Sequence, residues 1–336
     1  MSGLSVLLEL CGAVALLLWA TRMVRTGIER AYSGVLRRSL RRASGHPAKA
    51  LGVGVAVAAL LQSSTVTALL TTSFVERGML AVAAALIIML GADVGTTLVV
   101  QALSFDLSAV TPVLLILGVG FFMLGGTAKL RQCGRVMIGL GLILLSLTLI
   151  GQASEPLRDS VVLREVLAAL GNQPGLAVLL GAAMAWLGHS SVAVVLFLVS
   201  LASAGLIDVP LAFALVLGAN VGSGFIALGL TWRSQPAARR VPVGNLAFRL
   251  LGVLLVVPFI GELVPLVTYF EASPARALAN FHTLFNIALA LGCLPLAAPV
   301  ARLLARLLPE DGLSGSGIRP RYLDEAALDR PPLAIA

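Results

Sequence analysis

Charge is scarce in this chain. Only 12% of its 336 residues are Asp, Glu, Lys or Arg, against 58% that are hydrophobic. Too few polar side chains remain to cover a soluble globule of that length, so the chain reads as an integral membrane protein. Cysteine is scarcer still. Cys11, Cys133 and Cys293 stand apart, in or near apolar runs, and imply neither a disulfide framework nor a metal site. The alternation of barrel strands is missing too, which leaves helices as the spanning elements. A basic region ahead of the first apolar run is also absent, with no convincing cleavage site. Leu4 to Ala20 is therefore expected to be a retained span and not a signal peptide.

What the chain has is glycine, 34 residues of it, and an uneven distribution of its net charge of +8. Glycine at this density suits helices packed closely in lipid. Basic residues crowd Arg22 to Lys49, Lys129 to Arg135, Arg233 to Arg240, and Arg302 to Arg306. Ser104 to Ser108 and Gly261 to Ala275 carry acids and no basic residue. This is the positive-inside pattern, not a nucleic-acid footprint. Spans are expected near 4–21, 79–103, 109–127, 135–151, 209–231, 242–260 and 277–298. Two further apolar stretches, 47–75 and 174–203, carry a Ser-Ser cluster at their middle. Reading both as re-entrant hairpins puts every basic cluster, and the C-terminus, on the cytoplasmic side.

The chain also repeats itself at an offset of 127 residues. Gln62-Ser63-Ser64 matches His189-Ser190-Ser191, and Gly91-Ala92-Asp93-Val94-Gly95-Thr96 matches Gly218-Ala219-Asn220-Val221-Gly222-Ser223. Gly12, Thr21, Pro47, Gly54, Leu60 and Gly78 fall on Gly139, Thr148, Pro174, Gly181, Leu187 and Gly205. Gap-free identity of this extent is an internal duplication. With three crossings between the starts of the two copies, the repeats are inverted. The expected fold is an all-α membrane protein of inverted structural repeats, each with a re-entrant helical hairpin and an interrupted transmembrane helix. Residues 1–134 form repeat 1, 135–310 form repeat 2 with closing helices, and 311–336 form a cytoplasmic tail or linker. Duplicated, polar-centred apolar segments are the mark of a secondary transporter.

The chemistry sits at the hairpin tips. Half-helix ends expose backbone N–H groups, which attract anions. Ser63, Ser64, Thr65 and Thr67 in one tip, and Ser190 and Ser191 in the other, add hydroxyl donors. Gln62 and His189 hold equivalent positions beside them. In the glycine-flanked segments, local unwinding is expected to free carbonyls. Asp93, Thr96, Thr97, Asn220 and Ser223 would complete an oxygen-rich set suited to Na⁺, with Asp93 the costliest residue to keep in a span. His282 and Asn286, one turn apart, read equally as an accessory site or as a polar helix contact. Arg249 is expected to snorkel to the cytoplasmic surface, the alternative being a packing pair with Asp93. The Arg-rich run 22–42 is expected to be a separate amphipathic surface helix.

At these motifs the chain resembles the type II sodium-dependent phosphate cotransporter family, over nearly all of residues 1–310. The specific part is a doubled Gln-Ser-Ser-Ser-like motif, here Gln62-Ser63-Ser64-Thr65 and His189-Ser190-Ser191-Val192. Each copy leads to a Gly-Ala-Asn-Val-Gly-Thr-Thr-like segment, here Gly91 to Thr97 and Gly218 to Gly224. His282-Thr-Leu-Phe285-Asn286 matches a late His-x-x-Phe-Asn-like element, and Asn245-Leu-Ala-Phe248-Arg249 is an altered earlier one. Asp93 stands where the family more usually has Asn, and His189 where it has Gln. The resemblance implies phosphate and Na⁺ bound between the tips, with Ser63, Ser64, Ser190 and Ser191 in the site. It implies no cofactor besides the coupling ion, and placement in a bacterial inner membrane. Arg321 to Asp329 resembles a linker to a cytoplasmic PhoU-like domain. Transport of another small anion, phosphate sensing without transport, and oligomeric state stay open. A hydrolase using Ser190 or Ser191 with His189 is disfavoured, since adjacent helical positions point about 100° apart.

Overall fold

The computed structural model describes residues 3–309, and its regular elements there are all helical. The tail expected at 311–336, including its PhoU-linker likeness, lies outside the described residues. The first half runs α1 (Gly3–Arg41), α2 (Pro47–Leu61), α3 (Ser64–Glu76), α4 (Val82–Leu103) and α5 (Thr111–Leu124). The second runs α6 (Ala128–Ser154), α7 (Val161–Gly171), α8 (Pro174–Gly188), α9 (Ser191–Ser203), α10 (Val209–Leu230) and α11 (Pro236–Val256). The helices α12 (Ile260–Phe270), α13 (Pro274–Cys293) and α14 (Ala297–Leu307) close the bundle.

The duplication is visible residue by residue. The bounds of α8, α9 and α10 are those of α2, α3 and α4 moved by 127 positions. The same local signals cause this in both copies. Pro47 and Pro174 open α2 and α8 at a position whose N–H would be unpaired anyway. Ser63 and Ser190 cap α3 and α9. Gly78 and Gly205, at φ 67° and 68°, end them in matching Schellman turns. There Gly78 N donates to Val75 O and Met79 N to Phe74 O, as Gly205 N does to Ala202 O and Leu206 N to Leu201 O.

By length and composition, five stretches suit a membrane crossing: Gly3–Leu40, Val82–Leu103, Ala128–Leu157, Val209–Leu230 and Pro236–Phe270. Two bent pairs add to them, α7 with α8 at 106° and α13 with α14 at 74°. The crossing expected at 109–127 is a short apolar helix, Ser108–Leu124, which opens with a 3-10 turn and has only 14 α-helical residues, fewer than the usual span of about 20. The helix α1 corrects a second expectation. It continues without a break through the arginines to Arg41, a rod of 39 residues or about 58 Å. No proline interrupts it, and Gly27 lets it lie close against Gln132 and Val136 of α6.

A third correction concerns the glycine segments. Neither unwinds: α4 and α10 are continuous helices through Gly91–Thr97 and Gly218–Gly224. The glycines serve close approach instead. A Cβ on Gly91 or Gly95 would collide with the backbone carbonyl of Leu51 or Val55, and one on Gly54 with that of Ile88. The second copy repeats this, with Gly218 on Val178, Gly222 on Ala182 and Gly181 on Leu215. The pairs α2–α4 and α8–α10 are thus held at small-residue spacing, backbone nearly on backbone. Around them lies one core that includes Leu17, Leu61, Ile88, Leu196 and Phe213, the last stacked on Phe281 at 3.8 Å between centroids.

Candidate functional site

The break between α2 and α3 is made by two residues. Gln62 takes a left-handed conformation, φ 52°, and Ser63 follows in an extended one, φ −156°. His189 and Ser190 do the same between α8 and α9, at φ 51° and −157°. Gln62 and His189 are the only non-glycine residues with positive φ among the described residues. Each serine oxygen then accepts an N–H of the next helix: Ser63 Oγ from Val66 at 3.3 Å, Ser190 Oγ from Ala193 at 3.1 Å. Accepting leaves each hydroxyl hydrogen free to donate. Two helix N-termini, each capped by such a hydroxyl, are suited to an anion.

Both breaks border one cavity of about 370 Å³, lined by Gln62, Gly188, His189 and Ser190 together with Thr21, Arg22 and Arg25 of α1. Arg22 and Arg25 belong to the run expected to form a separate surface helix. In the continuous α1 they bring positive charge to the tips.

Arg249 is the largest departure from expectation. It does not snorkel: its side chain is 3% exposed and lies against Asp93. Nε donates to Asp93 Oδ2 at 3.1 Å and Nη2 to Asp93 Oδ1, a two-point fork. Nη2 also donates to Ser64 Oγ at 3.1 Å, and Nη1 to Asn220 O and Ser223 Oγ. A guanidinium carries five N–H donors, and these acceptors take them all. Asn245, with its amide turned to suit both neighbours, donates to Asp93 Oδ2 at 3.1 Å and accepts from Arg249 Nε at 3.2 Å. The network joins α3 and α4 of the first repeat to α10 of the second, through α11. Tertiary structure, not the surface, absorbs this arginine.

The expected Na⁺ set therefore already holds a cation. Asp93, Asn220 and Ser223 face the guanidinium, and a Na⁺ on the same oxygens would sit against it. Thr96 and Thr97 donate to the carbonyls of Asp93 and Val94 one turn back. Ser223 likewise donates to Asn220 O at 2.9 Å. Thr67 bonds back to Ser63 O, and Thr65 is buried. Ser191 is partly buried at the start of α9. Asn286 Nδ2 donates to His282 O at 2.8 Å, a side-chain-to-backbone bond within α13 and not a contact between the two side chains. His282 Nδ1, Asn286 Oδ1 and Gln62 Oε1 are buried without a partner, polar atoms on offer to water or a ligand.

The structure thus splits the expected residues into two groups. Gln62, His189 and Ser190 meet at the cavity, while Ser64, Asp93, Asn220 and Ser223 meet on Arg249. Asn245 was not expected here, and the Arg249–Asp93 pair was expected only as the packing alternative to a cation site. Their signal was present in the Asn245-x-x-Phe248-Arg249 element, which parallels His282-x-x-Phe285-Asn286. A charged residue in the earlier copy of a polar element asks for a partner within the span.

A family model described as Na+/Pi-cotransporter matches residues 16–152 and 159–297. "Putative inorganic phosphate export protein YjbB" of Escherichia coli K12 is 42% identical over 330 residues, covering 98% of this chain and 61% of that protein. The protein of the same name from Salmonella typhimurium is 41% identical with the same coverage. "Uncharacterized protein YqeW" of Bacillus subtilis is 30% identical over 305 residues, 90% of this chain and 99% of its own length. The chain spans only about three fifths of the YjbB relatives. No solved structure matches. With a match that runs through both repeats and both tips, the chain belongs to the Na+/Pi-cotransporter family.

Proposed function

We propose that this chain carries inorganic phosphate across a bacterial inner membrane by alternating access, with the anion bound between the two tips. The observation that carries the reading is the shared cavity at Gln62 and His189-Ser190, flanked by Arg22 and Arg25. Phosphate is small, singly or doubly anionic near neutral pH, and rich in acceptors. Capped helix starts, tip hydroxyls and two guanidinium groups are the donors it needs. The family and the names of the relatives support phosphate as the cargo.

Direction and coupling are finer parts of the proposal. The YjbB relatives are named for export, and net direction follows the gradients across the membrane. Each net charge moved is worth about 2.3 kcal/mol per 100 mV. Sodium is the proposed coupling ion, on the strength of the family description. Binding it at Asp93, Asn220 and Ser223 requires oxygens that Arg249 now holds. That observation favours a second reading, phosphate flux that needs no Na⁺ at this position. A cytoplasmic PhoU-like domain or protein is the proposed partner, supported by the greater length of the YjbB relatives.

The test is ³²P-phosphate flux in proteoliposomes of purified protein, inward and outward, with and without a Na⁺ gradient. The expected outcome is saturable flux above empty vesicles in both directions, accelerated by the gradient. Equal flux with and without Na⁺ would select the second reading. Phosphate binding without flux would replace transport by sensing.

A further inference from the structure

We infer that the guanidinium of Arg249 is a tethered occupant of a monovalent-cation site, and that removing it uncovers a Na⁺ site on Asp93. The inference deepens the sodium part of the proposed function, and its test does not pass through transport.

The acceptors around the guanidinium carry it first. One carboxylate, one backbone carbonyl and two hydroxyls converge from α3, α4 and α10, with the Asn245 amide oxygen beside them. All are oxygens, the ligand type that hard cations take. None comes from a mobile surface loop. Asp93 is 3% exposed, Ser64 4%, Asn220 5% and Ser223 3%, so the cage persists as part of the packed core.

The duplication carries it second. The repeat mate of Asp93 is Asn220, and the residue parallel to Arg249 in the later polar element is Asn286. Both counterparts are neutral amides, so each charge stands where the corresponding position carries none. The carboxylate and the guanidinium form one neutral pair, whereas Asn220 and Asn286 each donate to a carbonyl one turn back in their own helix. With Arg249 shortened to an amide, Asp93 remains buried among donors and acceptors with its charge uncompensated. A small cation drawn from solution restores neutrality with oxygens already in position. An ion pair that served packing alone would offer no such vacancy to sodium, because its loss would be answered by collapse or by unfolding.

Melting temperatures of purified protein decide this, measured in NaCl, KCl and N-methylglucamine chloride at equal ionic strength. Three forms are compared: the wild type, Arg249→Asn, and Asp93→Asn combined with Arg249→Asn. The expected result is a sodium-specific, saturable rise in Arg249→Asn beyond any seen in the wild type, lost again in the double variant. A folded Arg249→Asn that melts alike in all three salts overturns the inference. So does a double variant that keeps the rise, since Asp93 would then not be the ligand. Failure to obtain Arg249→Asn from sodium-containing medium, whether or not the double variant folds, also overturns it, because sodium would not have replaced the guanidinium. Absence of phosphate flux in the wild type would sink the transport reading and leave these outcomes unaffected.

Discussion

At the scale of single residues, the tips are built by backbone conformations that their side chains resist. A left-handed residue other than glycine costs roughly 1–2 kcal/mol. Glycine fills the two Schellman turns at Gly78 and Gly205, but Gln62 and His189 fill the tips at nearly the same φ. The side chains there are kept against a local cost, and both border the cavity. Ser63 and Ser190 have two tasks, closing the start of a helix and offering a hydroxyl hydrogen. Replacing either with Ala is expected to cost about 1 kcal/mol of stability through the lost cap. It should also weaken phosphate binding roughly tenfold to a hundredfold, for a hydrogen bond to a charged group worth on the order of 1.5–3 kcal/mol. Melting curves and phosphate titrations on the same preparations separate the two effects. A loss of stability with unchanged phosphate affinity would leave the serines as caps only.

At the scale of elements, the unit is a glycine-faced helix pair made twice. The contacts of Gly91, Gly95, Gly218 and Gly222 with facing backbone leave no room for a methyl group. Gly218→Ala should push α8 away from α10 and cost about 1–3 kcal/mol, as overpacking does. Gly52→Ala provides the control within α2, since nothing lies within 4 Å of an added Cβ there. It should be neutral or slightly stabilising, because alanine is the better helix former. Thermal melting of both variants checks the contrast, and equal behaviour would mean that the close approach carries no energy. These pairs matter for the site because α2 and α8 end at the tips. A shift of either helix moves Gln62 or His189 directly. At the same scale, Gln101 ties α4 to α13 through Asn280 at 2.9 Å and Thr283 at 3.1 Å. That bond anchors the helix that presents Asp93.

At the scale of the whole molecule, inverted topology makes a claim about sides. The segment after α4 should face outward and the one before α6 should face the cytoplasm. Asp106 and Gly126 are both exposed, and they fall in those two segments. In a background without Cys11, Cys133 and Cys293, Asp106→Cys should react with an impermeant thiol reagent added to intact cells. Gly126→Cys should react only after the membrane is opened. Labelling of Asp106→Cys from the cytoplasmic side alone would end the inverted arrangement. The short α5 makes this a demanding test, since it lies between the two positions and is itself shorter than a full crossing.

Much of this molecule is determined by sequence that acts locally. Prolines, serine caps and positive-φ glycines act over three or four residues, so the helix bounds and the break of each copy are set within that copy, and their symmetry shows in the offset of 127 residues. Composition over longer windows likewise determines that the chain lives in lipid. The fate of glycine and of charge was decided elsewhere. A glycine in a helix either loosens it or admits a neighbour, and only the presence of α2 against α4 selects the second. An arginine a few residues inside a span either reaches for water or finds an anion. Arg249 and Asp93 are 156 residues apart in sequence, and no local signal states that they meet. Tertiary structure brings them together because burying a lone charge in a membrane core costs far more than burying a pair whose every donor is matched.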